Sequence, residues 1–174
     1  GTVTTAQTVN RDVFANIATN NLTERIGDAG YSDIQWWMEW YTDTGATASN
    51  ATINVTYNDG SSGNLTNVSV GGTLRVGRMI ALNGLVPAAQ SGLFIRDINT
   101  VILSASTGTV GNFGFTATRP RMTMPLNVAN KTETFDWAAL GFPEIYNESC
   151  IWPIELCSTT TTGTVRGGGK IAHG

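Results

Sequence analysis

Charge is what this chain has least of. Aspartate, glutamate, lysine and arginine make up 13% of it, about half the usual ~25%. Lysine occurs only at Lys131 and Lys170. The formal net charge is -3, so the basic patch that a nucleic-acid partner would require is missing. Two cysteines, Cys150 and Cys157, are too few for a disulfide framework or a zinc site. One histidine, His173, offers little for a triad or a metal, since either needs a supporting shell. No apolar run approaches the ~20 residues that cross a bilayer as a helix. The opening GTVTTAQTVN has neither the basic nor the apolar region of a secretion signal. The expectation is a chain with no metal, no cofactor, no nucleic acid and no membrane among its partners.

Threonine, asparagine, glycine and serine fill the place of the missing charge. Exposed charge normally keeps a protein monomeric and soluble. Its shortage here implies permanent assembly, with homo-oligomer formation expected. The hydrophobic share of 41% supports a core, and 174 residues fit one domain with arms.

Periodicity supplies the elements. Residues 1–9 read as an extended arm. Asn10 caps a short helix carrying Val13, Phe14 and Ile17, and a second turn runs from Leu22 to Ile26. In the segment from Tyr31 to Tyr41, a strand puts Ile34, Trp36, Met38 and Trp40 on one face. Gln35, Trp37, Glu39 and Tyr41 take the other face, which is expected at a surface. From Asn50 to Tyr57, Ala51, Ile53, Val55 and Tyr57 alternate with Thr52, Asn54 and Thr56. The Asp59-Gly60 dipeptide then marks a hairpin connection. Leu65–Val70 returns, and Thr73–Leu82 reads as a further strand.

Ile95 to Arg119 reads as a hairpin at the centre of a sheet. Its turn is Ser106-Thr107-Gly108-Thr109, and Ile102, Leu103, Phe113 and Phe115 are its core residues. Beyond it, Thr134–Leu140 fits one helical turn stopped by Gly141, and Cys150–Ser158 a last strand. The two cysteines read as buried free thiols. The final residues carry no core pattern and read as a second arm. Three regions result: an arm with short helices over 1–30, a β domain over 31–158 and an arm over 159–174. Short strands with Gly, Asn and Asp turns argue a mainly β protein. Its expected form is an antiparallel β-sandwich, with a jelly roll among the candidate topologies.

Chemistry is sparse. Gly167-Gly168-Gly169-Lys170 lacks the upstream glycine and the following Ser or Thr of a phosphate loop. Glu39, among tryptophans, would serve as a glycosidase acid only with Asp33 or Asp43 facing it. Trp37 and Tyr41 together would make either an interface anchor or a sugar-stacking platform, the second of which defines a carbohydrate-binding head-fibre or adhesin module.

The segments WWMEWYTDTGATASNATINVTYNDGSSGNL and GLFIRDINTVILSASTGTVGNFGFTATRP, with the RGGGK of the tail, resemble small structural proteins of tailed bacteriophages. Within that group the resemblance is to head decoration (cement) and head-associated accessory proteins. It implies a non-enzymatic protein of the virion, assembled in the bacterial cytoplasm. The implied partner is the major capsid protein or a neighbouring virion protein. Interface candidates are then Trp37, Tyr41, and Arg166 and Lys170 in the C-terminal arm.

Overall fold

The computed structural model describes residues 30–73, 76–108, 111–125, 131–145 and 149–156. The expected N-terminal helices and both arms lie outside them. By contact the chain divides into two units, 1–143 and 144–174. The first holds seven strands among its described residues: β1 Gln35–Trp40, β2 Asn50–Tyr57, β3 Ser62–Asn64, β4 Val68–Ser69, β5 Met79–Ala81, β6 Ile95–Leu103 and β7 Phe113–Thr118. All pair antiparallel. One sheet has the order β5-β1-β7. In the other, β2 is flanked by β3 and β4 along one edge and by β6 along the other. The protein is mainly β, and the inner faces of the two sheets share one core.

β2 shows how directly the sequence dictates this. Ala51, Ile53, Val55 and Tyr57 are fully buried, while Thr52, Asn54 and Thr56 turn outward. Burial of each large apolar side chain contributes roughly 1.5–3 kcal/mol. The chain then reverses as Asp59-Gly60 predicts. Tyr57 N–H donates to Ser61 O at 2.8 Å, and Gly60 sits at φ +87°, a left-handed conformation. The Asp59 carboxylate accepts from Ser61 Oγ at 2.6 Å and Ser61 N–H at 2.8 Å. These bonds, the hydroxyl's first, hold its pKa below the ordinary 3.8.

The expected central hairpin does not form. Both of its strands exist, but β6 pairs with β2 and β7 with β1. The connection between them carries the chain from one sheet to the other. Its supposed tight turn packs elsewhere: Thr107 is fully buried, and a Cβ added to Gly45 would collide with the Thr107 carbonyl. The segment therefore lies against the β1–β2 loop instead of closing on itself. The middle strands are β1 and β2.

β6 also departs from simple alternation. Its register against β2 shifts twice, so that Arg96 and Asn99 are extra residues at bulges. The core side chains become Ile95, Ile98, Val101 and Leu103. Ile102, expected in the core, faces outward and is 55% exposed. Phe113 is buried and Phe115 half-buried, on one face as their spacing predicts, with their rings edge-on at 5.9 Å.

Among the described residues of Thr73–Leu82, the expected strand is confined to Met79–Ala81. Upstream, Leu65 to Val70 holds the two-residue β4. Asp136 to Phe142 forms the expected turn. Gly141 N–H donates to Ala138 O, Phe142 N–H to Trp137 O, and Gly141 has φ +64°. That pattern is a Schellman ending, closed by the Trp137 and Phe142 rings at 5.3 Å. In the second unit the described part of Cys150–Ser158 is not a strand. Pro153 removes a ladder donor, and Ile151, Trp152 and Leu156 are exposed without alternation. Cys150 is free and exposed, not buried, and Cys157 lies outside the described residues.

Candidate functional site

Two outward faces compete for the role of the site. The first is the outer face of the β5-β1-β7 sheet, where the sequence nominated Trp37, Glu39 and Tyr41. Alternation holds there: Trp36, Met38 and Trp40 join the core, and Trp37 does not. Exposure fails, however, because Trp37 is only 7% exposed. Its indole N–H donates to Thr118 Oγ1 at 2.7 Å, and that hydroxyl donates on to Gln35 O at 3.2 Å. Trp37 is thus a covered side chain with its polar atom satisfied, not the exposed ring that was expected.

Tyr41 is 51% exposed. Its ring lies over Gly114, where an added Cβ would strike the hydroxyl, and its N–H donates to Asn112 O at 2.8 Å. A glycine at that point of β7 is what lets the ring lie flat. With Trp37 covered, the two-ring sugar platform reduces to one tyrosine.

Glu39 is half-buried and accepts from Thr116 Oγ1 at 3.1 Å. Both proposed second carboxylates are engaged by other partners. Asp33 pairs with Arg119 at 3.1 Å, and Asp43 accepts from Val76 N–H at 2.7 Å. No cluster of three or more His, Cys, Asp or Glu residues that could hold a metal occurs among the described residues. Arg166 and Lys170 lie outside them.

The second face is the outer side of the sheet centred on β2, and the sequence reading assigned it no role. Here the bulge of β6 at Asn99 matters. Pushed out of register, Asn99 reaches two rungs of β2 at once. Its Nδ2 donates to Asn54 Oδ1 at 2.9 Å, and its Oδ1 accepts from Thr56 Oγ1 at 3.1 Å. Asn54 Nδ2 donates to Asn64 Oδ1 on β3 at 2.8 Å, and Thr56 Oγ1 lies 3.4 Å from Ser62 Oγ. Beside them Thr52 Oγ1 meets Asn67 Oδ1 at 3.4 Å.

The result is a connected strip of amides and hydroxyls across three strands, with Ile102 exposed next to Thr52 in the register. Within β2, β3, β4 and β6 charge is confined to one end, where Asp97 is buried and paired with Arg96 at 3.3 Å. An amide has two donors and two acceptor lone pairs. These bonds leave outward capacity at Asn54, Asn64 and Asn99. Such a face can hydrogen-bond a neutral polar surface without desolvating a charge, which would be costly.

The only hint of this site in the sequence was the Thr52, Asn54, Thr56 alternation. The third member of the strip depends on a bulge that no local pattern announces. The chain matches no family model, no curated protein and no solved structure.

Proposed function

We propose that this chain is a non-enzymatic structural protein of a tailed-bacteriophage virion. It binds the capsid shell and stabilises it as a decoration protein, and acts as an oligomer. Its partner is the major capsid protein or a neighbouring virion protein. The observation that carries the reading is the neutral strip Asn64–Asn54–Asn99–Thr56–Ser62, with exposed Ile102 beside it. A surface of this kind suits a permanent protein contact. It offers directional hydrogen bonds and an apolar anchor, and nothing in its middle needs a counter-charge. Each contact is modest, and many copies on one shell add their contacts through multivalency.

The test mixes purified protein with bare capsids and measures occupancy by sedimentation. The parent should co-sediment. Ile102→Lys places a charge beside the strip and should lower occupancy with little change in melting temperature. A carbohydrate-binding module is the competing outcome, resting on exposed Tyr41. Absence of capsid binding, together with binding on a glycan array that Tyr41→Ala abolishes, would replace the capsid reading.

A further inference from the structure

Asn83 does something unusual for a side chain. The β1–β5 ladder pairs Trp37 with Ala81 and Met38 with Ile80, and Leu82 N–H still donates to Trp36 O at 2.9 Å. One residue later the backbone turns into a short 3-10 helix, Asn83–Leu85. The Asn83 amide then continues the ladder in place of the main chain. Its Nδ2 donates to Ile34 O at 2.7 Å, and its Oδ1 accepts from Trp36 N–H at 2.8 Å. Gln35 Nε2 donates to the same Oδ1 at 3.0 Å. Three hydrogen bonds therefore fix the plane of this amide.

Asn83 is followed by Gly84, and this is the one Asn-Gly pair in the chain. The pairing has an intrinsic chemistry. With no side chain in the way, the glycine backbone nitrogen can reach the asparagine carbonyl carbon. We infer that Asn83 is a latent self-modification site, silenced while its amide is bonded to β1 and released when that end of the sheet opens.

In the released state the Gly84 nitrogen loses its proton to water and attacks Asn83 Cγ. A C–N bond forms, the Cγ–Nδ2 bond breaks and ammonia leaves, which closes a succinimide. Water then opens either ring carbonyl to give aspartate or isoaspartate. The net change is amide plus water to acid plus ammonia, and no redox partner is involved. The product cannot re-form the lock. A carboxylate oxygen replaces the donor that faced Ile34 O, and isoaspartate also adds a backbone atom. Opening of the sheet edge is thereby recorded as a permanent change in the chain.

The experiment incubates the whole protein at mildly alkaline pH in buffer and in urea. It follows the amide-to-acid mass change and maps isoaspartate by peptide mass spectrometry. Conversion at Asn83 should be at least about tenfold slower in the native protein, because opening must break all three hydrogen bonds of the amide together. Gly84→Ala is a clean control. Gly84 is not in the left-handed region and a Cβ there meets nothing within 4 Å, so the fold should persist while the rate in urea falls. Gln35→Ala should raise the native rate and leave the rate in urea unchanged. Equal rates in buffer and urea would overturn the inference, and so would conversion that maps elsewhere than Asn83.

Discussion

β1 and β2 are both middle strands, and their side chains are buried in different patterns. Along β2 every second residue is buried and the residues between face solvent. Along β1, Trp36, Trp37 and Met38 are buried in succession, which requires cover on both faces. Alternation alone fixed the direction of each side chain correctly in both strands. It fixed exposure only in β2, where the outward residues are threonine and asparagine. Composition carries the missing information: a tryptophan on the outward face of β1 is a request for cover, since so large an apolar surface is seldom left in water. The same contrast separates the outer faces. One is closed over Trp37, and the other presents hydrogen-bonding groups.

The largest test of this contrast is Trp36→Ala. Trp36 fills the core and its indole N–H donates to Ile95 O of the opposite sheet at 3.0 Å. Urea denaturation should register a loss of about 3–5 kcal/mol. A loss below about 1 kcal/mol would mean that the two sheets are not joined through this residue.

Next comes Trp37→Ala. If β1 is buried on both faces, the change should cost about 3 kcal/mol, the low end for a buried tryptophan. A surface tryptophan would cost no more than about 0.5 kcal/mol. Retention of parental stability would therefore make the two strands alike.

Tyr57→Phe probes the end of β2 and should act in the opposite direction. The Tyr57 hydroxyl is buried with no hydrogen-bond partner, so its removal should stabilise the fold by about 1 kcal/mol. Burial also pushes its pKa above the ordinary 10.0. Stability from the neutral phenol is intact below that value and falls as pH rises through the raised one, because only the unfolded chain ionises readily. Thermal scans above pH 10 should show a steeper decline in the parent than in the phenylalanine variant. Parallel declines would assign the alkaline loss to other groups.

The smallest effect belongs to Asn54→Ala on the outward side of β2. Its bonds to Asn64 and Asn99 are exposed to water competition, so stability should change by no more than about 0.5 kcal/mol. Under the proposed capsid-binding role, occupancy should fall in the same variant. A large loss of stability would make the strip a structural clamp instead of a contact face.

The legible parts of the fold were the local ones. The β2 pattern and the Asp59-Gly60 reversal follow from period and turn chemistry within a dozen residues, and the turn ending at Gly141 does too. Strand partnership was not legible. β6 and β7 are neighbours in sequence with convincing turn residues between them, yet each pairs with a strand far away in the chain. Ile102 was misassigned because it lies between Val101 and Leu103, and alternation that turns those two inward turns it out; the bulge at Asn99 is a separate irregularity that no local pattern announces. The candidate strip rests on that bulge and was invisible. So was the Asn83 amide, whose role depends on where the chain leaves the ladder. Tyr41 was placed correctly at the surface because the strand ends at Trp40.

The two bulges of β6 have a further consequence, for how copies of this protein meet. β6 is a nine-residue strand that pairs on one side only among the described residues. A strand of that length, charged only at Arg96 and Asp97, is open to edge-to-edge stacking, the route to fibres. Bulges at Arg96 and Asn99 twist the strand and break its ladder into short pieces. Growth along the hydrogen-bonding direction is therefore blocked, although little charge is present to repel a second copy. A chain poor in charge can stay out of aggregates by geometry.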